Sequence, residues 1–113
     1  MNKYFDKQHY KQLKTFAKES KVHTLSVDLT GEYYGYNGLT VAYCLSFQSK
    51  DCRMLEVAVS YCAPEDKFKK KHGKYTALSN FLRGVTVKVP LGLFYNETSI
   101  EEVEQVLIDM FAV

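Results

Sequence analysis

Two stretches of alternating apolar residues, 39–47 and 55–61, most constrain the fold of this 113-residue chain. Each places every second side chain, all of them apolar, on one face of a strand. If residues 49–51 form a three-residue loop, Leu45 lies opposite Leu55 and both apolar faces point to the same core. A two-residue loop would slip the register by one and put these faces on opposite sides of the sheet. We therefore predict an antiparallel hairpin with this register.

Two shorter alternating runs, 24–30 and 85–89, predict further strands before and after the hairpin in the chain. Between residues 30 and 38, glycines and an asparagine interrupt the strand pattern and predict a turn-rich loop. This loop contains three tyrosines: Tyr33, Tyr34 and Tyr36. They suit stacking on bases or anchoring of a protein partner. Folding back over the edge of the core is an equally good interpretation.

Two helices are indicated by their end signals and apolar periodicity. Asp6 can cap the first, whose inner face includes Tyr10 and Leu13. The second begins at Pro64, because proline suits the first helical position while the residue before it avoids helical dihedrals. It ends at Gly84, which stands where a C-terminal cap is expected. We refer to its charged part as the basic helix 65–83.

A third helix begins at Thr98 or Ser99, because either can form a capping box with an acid three residues later. Its core face is predicted to contain six apolar residues: Ile100, Val103, Leu107 and Met110, flanked by Val106 and Phe111. The order of elements is then α-β-β-β-α-β-α. With 46% hydrophobic residues, we predict a single α+β domain over 1–113, with a mainly antiparallel sheet and its helices packed on one face.

The second face of the hairpin carries small side chains of mixed polarity. Its members alternate with the apolar residues: Thr40, Ala42, Cys44, Ser46, Met54, Glu56, Ala58 and Ser60. The lack of bulky groups leaves room for another element or another molecule to approach the sheet. Gly73, in the middle of the second helix, costs about 1 kcal/mol relative to alanine. It permits close packing against the sheet or close approach by a partner.

Charge is segregated along the chain although the net charge is only +2. Residues 1–22 carry six lysines against two acids, whereas residues 95–113 carry five acids and no Lys or Arg. This pattern gives a basic and an acidic end if the termini lie apart, or mutual attraction if they pack together. The basic helix adds an outward lysine stripe: Lys67, Lys70, Lys71 and Lys74. Lysine stripes are ordinarily solvated faces, and the alternative is a surface for phosphates or an acidic partner.

Catalytic and metal-binding signals are weak. The three histidines lie on different predicted elements without the paired spacing of a metal site: His9, His23 and His72. Cys62 is the best nucleophile candidate, because it precedes a predicted helix start. However, Pro64 removes one donor there and acids crowd it, which favours a packed cysteine. Three carboxylates could be brought together only by the fold: Asp28, Glu32 and Glu56. We predict no enzyme and no catalytic, cofactor-binding or metal-binding residues.

The cysteines and the apolar runs indicate the cellular compartment. The cysteines are odd in number and have no CxxC spacing, which is typical of a reducing environment: Cys44, Cys52 and Cys62. No apolar run approaches the roughly 18 residues of a membrane span. The N-terminal residues lack the apolar core of a secretory signal. We expect a cytoplasmic protein without membrane partners.

The segment 58–74 reads AVSYCAPEDKFKKKHGK. It resembles a motif of small uncharacterised bacteriophage proteins, in which a strand leads into Cys-(Ser/Ala)-Pro-x-Asp-x-Phe, then basic residues, glycine and a basic residue. The resemblance covers about one sixth of the chain. Ala63 stands where serine is commoner and weakens the cap, and His72 precedes the glycine.

This resemblance implies a phage origin and hence the host cytoplasm. Inhibitors and adaptors that occupy host proteins are commonly of this size and type. We predict a small non-enzymatic accessory protein that binds a host macromolecule, foremost a host protein, as an inhibitor or adaptor in host takeover or anti-defence. The predicted partner-binding residues combine the loop tyrosines and the lysine stripe: Tyr33, Tyr34, Tyr36, Lys67, Lys70, Lys71 and Lys74.

The alternative partner is nucleic acid. The α-β-β-β-α order through Arg83 is similar to that of a double-stranded RNA-binding domain, whose second helix places a lysine cluster against phosphates. The glycine-rich lead-in typical of that family is missing, and Cys-Ala-Pro-Glu-Asp stands in its place. Glu65 and Asp66, at the predicted helix start, would repel phosphates.

Overall fold

The computed structural model describes residues 5–31, 35–49, 52–90 and 100–112. The elements follow the predicted order: α1 Lys7–Glu19, β1 His23–Asp28, β2 Gly38–Ser49, β3 Cys52–Cys62, α2 Lys70–Leu82, β4 Val87–Pro90 and α3 Ile100–Phe111. The four strands form one antiparallel sheet in the order β1-β2-β3-β4. The predicted α+β class and the element order are confirmed.

The register of the central hairpin is also confirmed, although its turn differs from the prediction. Leu45 pairs with Leu55, as the apolar pattern requires. Ser49, assigned to a three-residue loop, instead pairs with Cys52, and the register shifts between Phe47 and Ser49. The two residues between Ser49 and Cys52 lie outside the described part of the chain. An irregularity in β2 thus absorbs one residue, which lets a shorter connection keep the apolar faces together.

The prediction that the helices share one face of the sheet is wrong. On one face, Tyr43 and Val57 belong to a core that includes Leu107 of α3. On the other face, Ala42 and Ala58 belong to a second core with α1 and α2. Neighbouring strand residues point to opposite faces, and in β2 both Ala42 and Tyr43 are buried. Both faces of the sheet are therefore covered, and α1 and α2 pack on the face with the small residues.

Helices α1 and α2 lie side by side and run in the same direction. Three ring contacts follow the pair from its start to its end: Phe5 to His72, Tyr10 to Tyr75, and Phe16 to Phe81. The predicted cap of α1 is confirmed, since Asp6 Oδ1 accepts hydrogen bonds from the backbone N–H groups of Gln8 and His9. The N-termini of both helices consequently lie at the same end of the molecule.

Helix α2 begins at Lys70 and not at Pro64. The segment 63–69, which we call the lead-in, is held out of the helix by contacts with Gly38, the first residue of β2, and with Asn37, which precedes β2. Asn37 Nδ2 donates to the carbonyl oxygens of Pro64 at 3.0 Å and Asp66 at 2.8 Å. Phe68 lies directly against Gly38, where a Cβ would collide with its ring. The predicted end is confirmed, because Gly84 has a φ of 77° just after the helix.

The core face of α3 is rotated from the predicted one. Leu107 is fully buried and Val103 packs on the same core, but Met110 is 50% exposed. Phe111 packs there as predicted, and Ile108, which the prediction left out, packs there too. The reason lies in polar contacts that orient the helix: the Tyr43 hydroxyl donates to Glu104 Oε2 at 2.6 Å, and two further tyrosines donate to the carbonyl oxygen of Phe111. The predicted start at Thr98 or Ser99 lies outside the described residues.

Gly73 permits the close approach of α2 to the sheet. A Cβ at this position would collide with Thr40 Oγ1 and lie 3.1 Å from Thr40 Cβ. We expect Gly73→Ala to destabilise the protein by up to about 2 kcal/mol, because overpacking costs about 1–3 kcal/mol and the gain in helix propensity offsets about 1 kcal/mol of that cost. Chemical denaturation of the wild type and the variant measures this difference.

The control for this prediction is the double variant Gly73→Ala with Thr40→Ala. Removing the Thr40 hydroxyl makes space for the new methyl group, so a double-mutant cycle is expected to show favourable coupling between the two changes. A Gly73→Ala variant as stable as the wild type would contradict the close helix–sheet contact.

Candidate functional site

The head of α2 presents a dense group of lysines. Lys70 and Lys71 are exposed in its first turn, and Lys74 is half-buried one turn later. Lys67 is exposed in the lead-in and not on the helix where it was predicted. The first turn of α2 contains no acid. The predicted placement of Glu65 and Asp66 at the helix start is therefore wrong, because both residues precede it.

The two faces of the molecule differ in charge. The α1–α2 layer carries the exposed lysines of α1 in addition to those of α2: Lys7, Lys11, Lys14 and Lys18. Helix α3, on the other face of the sheet, exposes acids: Glu101, Glu102 and Asp109. Of the two arrangements that the charge pattern allowed, the helices adopt the separated one. The sheet keeps the basic and acidic helices apart, so the basic layer is not neutralised by α3.

Asn37 links the loop between β1 and β2 to the lead-in of α2. Its side chain binds the carbonyl oxygens of Pro64 and Asp66, while its backbone N–H donates to the carbonyl oxygen of Cys62 at 2.9 Å. The Leu29 N–H donates in turn to the Asn37 carbonyl oxygen at 2.9 Å. Sequence reasoning assigned Asn37 only to a turn. The structure makes it the residue that places the lysines beside this loop.

Of the predicted loop tyrosines, Tyr36 is the one that the structure describes, since Tyr33 and Tyr34 lie outside the described residues. Tyr36 is half-buried and packs against the core. Its hydroxyl donates to the carbonyl oxygen of Phe111 at 3.0 Å, and its ring lies 4.6 Å from that of Tyr61. For Tyr36, folding back over the core edge is thus the interpretation that agrees with the geometry.

A cleft of about 340 Å³ opens between the end of β3, the lead-in and the head of α2. Its lining is mixed: Thr40, Ser60, Tyr61, Cys62, Ala63, Asp66, Lys67, Phe68, Lys69, His72 and Gly73. Thr40 and Gly73 belong to the tight contact between α2 and the sheet. The lining contains lysines and hydroxyl groups together with Asp66, which suits a polar ligand group more than an apolar one.

Cys62 lies in this cleft in a setting that favours the thiol. Its Sγ lies 3.5 Å from the carbonyl oxygen of Asp66 and donates to it. Burial raises the pKa of Cys62, and the nearby charge of Asp66 raises it further. Since α2 starts only at Lys70, its N-terminus is not next to Cys62 as the sequence had indicated. These features argue against a reactive thiolate.

His72 lines the cleft from the first turn of α2. It is half-buried, and its ring lies 4.8 Å from that of Phe5. Burial lowers the pKa of His72, and the positive charges of Lys69 and Lys71 lower it further. The imidazole is therefore biased towards its neutral form while it faces the lysine group.

The other titratable candidates remain separate. His9 packs on Tyr75 and His23 on Tyr43. Asp28 is paired opposite Gly38 at one end of the sheet, whereas Glu56 lies opposite Cys44 and accepts a hydrogen bond from Thr86. The fold does not bring these two carboxylates together, and Glu32 lies outside the described residues. Within the described ranges, no three His, Cys, Asp or Glu residues are placed to hold a metal ion.

Comparisons with protein-family models, curated proteins and solved structures found no match for this chain. Among the helices in the described part of the chain, none is long and apolar enough to cross a bilayer.

Proposed function

We propose that this protein binds double-stranded RNA through the head of α2 and the elements on either side of it. The observation that carries the proposal is the position of Lys70 and Lys71. The start of α1 contacts their helix turn through Phe5 and His72, and the lead-in joins that turn to the end of the β1–β2 loop. A cationic group next to two further elements suits a ligand that extends across all three.

The arrangement is similar to the scheme by which double-stranded RNA-binding domains hold a duplex. Those domains contact two successive minor grooves and the phosphates of the intervening major groove. Here the elements α1 to α2 have the same order, and the lysines of α2 take the central position. The later start of α2 removes Glu65 and Asp66 from its first turn, although Asp66 still lines the adjoining cleft.

Recognition of this kind rests on shape and charge and has little dependence on base sequence. The predicted anchoring of a partner by the loop tyrosines receives less support, since Tyr36 is engaged with Tyr61 and Phe111. A binding role without catalysis agrees with the raised pKa of Cys62. The proposal therefore places nucleic acid ahead of a host protein as the partner.

The test is fluorescence anisotropy with labelled oligonucleotides at several salt concentrations. We use an RNA duplex somewhat longer than the roughly 16 base pairs that double-stranded RNA-binding domains span, the DNA duplex of the same sequence and the single RNA strand. The expected order of affinity is RNA duplex first, with the affinity falling steeply as salt rises. Equal affinity for the duplex and the single strand, or no salt dependence, would overturn the proposal.

A second candidate is the phage inhibitor or adaptor that binds a host protein. It is favoured by three exposed apolar side chains between the end of α2 and the start of the edge strand β4: Leu82, Val85 and Val87 are 52%, 58% and 51% exposed. Exposed apolar groups that lie together are typical of protein interfaces. Partner binding through this surface would change little with salt and would persist when the lysines of α2 are reversed in charge.

A further inference from the structure

The cleft at the head of α2 has room for a phosphate group and cationic side chains in its lining. Its volume of about 340 Å³ exceeds what one phosphate group needs. Lys67, Lys69 and His72 line it, with Asp66 as the acid among its lining residues. It adjoins Lys70 and Lys71, so a duplex seated on those lysines brings its backbone to the mouth of the cleft.

His72 is the group in this cleft whose charge responds to such a ligand. The charged and titratable groups around it come from three elements: Lys69 and Lys71 at the head of α2, Cys62 at the end of β3, and Lys67 and Asp66 in the lead-in. On its remaining side the ring meets Phe5, behind which lie Tyr10 and Tyr75. The cations and the partial burial disfavour a further positive charge in the free protein.

We propose that this cleft holds one phosphate group of the bound duplex and that His72 gains a proton when the phosphate enters. The inference rests on the proposed function and adds to it a named subsite with a pH dependence. The phosphate offsets the charges of Lys69 and Lys71 and adds its negative charge to that of Asp66 in the same cleft, which favours the imidazolium. Binding of the duplex and protonation of His72 then strengthen each other by the same factor.

The direction of the pH effect follows from this linkage. In the free protein the pKa of His72 lies below its ordinary value, and the phosphate raises it. Duplex affinity therefore increases as pH falls through the higher pKa of the complex, and it levels off below the lower pKa of the free protein. A single linked proton changes the affinity by at most about tenfold per pH unit.

The experiment measures duplex affinity from about pH 6 to pH 8, the range in which histidine titrates, at constant ionic strength. The RNA carries no terminal phosphate, so its own charge stays constant. The wild type is expected to bind several-fold more tightly at the acidic end. His72→Gln is expected to lose most of this pH dependence while it still binds. His23→Gln, the control, is expected to keep it, because His23 is exposed at the start of β1, which follows the opposite end of α1.

A direct measurement of the pKa of the His72 imidazole supplements the variants. The pKa of His72, followed by NMR in the wild-type protein, is expected to rise on addition of the duplex. The subsite is contradicted if His72→Gln keeps the wild-type pH dependence, or if the pKa of His72 does not move while the duplex binds; the proposed function then stands. Absence of duplex binding at every pH overturns both.

Discussion

Reversing the charges of Lys70 and Lys71 is expected to weaken binding of the RNA duplex by roughly a hundredfold at moderate salt. Both lysines are exposed in the first turn of α2, at the centre of the proposed interface. Each lost phosphate contact is also expected to reduce the slope of log affinity against log salt by about one. Anisotropy titrations of the K70E/K71E variant over a range of salt concentrations measure both effects.

The matched control is K18E/K21E, which changes the net charge by the same amount. Lys18 and Lys21 are exposed at the opposite end of α1 from the head of α2. This variant is expected to lose only the small affinity that follows from overall charge. If the two double variants weaken binding equally, the protein attracts the duplex through its net field and not through the head of α2.

Replacing Leu107 by alanine is expected to cost about 2–5 kcal/mol in the free energy of unfolding. Leu107 is fully buried between α3 and the sheet, in the core that contains Tyr43 and Val57. Its removal leaves a cavity at the centre of this contact. Denaturation in urea or guanidinium measures the loss, and the midpoint is expected to shift while the slope stays near that of the wild type.

Met110→Ala is the companion variant, because sequence periodicity placed Met110 on the same core face. The side chain is 50% exposed, so its truncation is expected to change stability by no more than about 0.5 kcal/mol. Similar losses for the two variants would contradict the observed orientation of α3. Under conditions where L107A remains folded, its affinity for the duplex is expected to equal that of the wild type, since α3 covers the other face of the sheet.

Local patterns of the chain were sufficient to predict the elements and much of their pairing. The register of β2 and β3 follows from two apolar faces that must meet, and a slip of one residue would expose both. The N-cap at Asp6 and the end of α2 at Gly84 are also set by local interactions, because each satisfies backbone groups within a few residues. These features involve short sequence separations, where residue type alone decides the conformation.

The start of α2 was not predictable in this way. Pro64 satisfies the rule for a first helical residue, yet the lead-in stays out of the helix. Asn37 bonds to Pro64 and Asp66, which are 27 and 29 residues away, and Gly38 packs against Phe68. No local preference encodes a bond between the Asn37 amide and two carbonyl oxygens of another segment. The same tie decides where the lysines stand relative to the β1–β2 loop, and hence the candidate site.

The sequence by itself determined the α+β class, the order of the elements, the hairpin register and the separation of charge along the chain. Only the tertiary structure decided which face of the sheet each helix covers. Small residues such as Ala42 and Ala58 fit either a solvated surface or a closely packed helix, and the contact of Gly73 with Thr40 selects the second. That packing sets α1 and α2 side by side, with α3 on the opposite face. The proposed interface depends on this arrangement, because the distance between charges is set by the fold and not by their spacing in the chain.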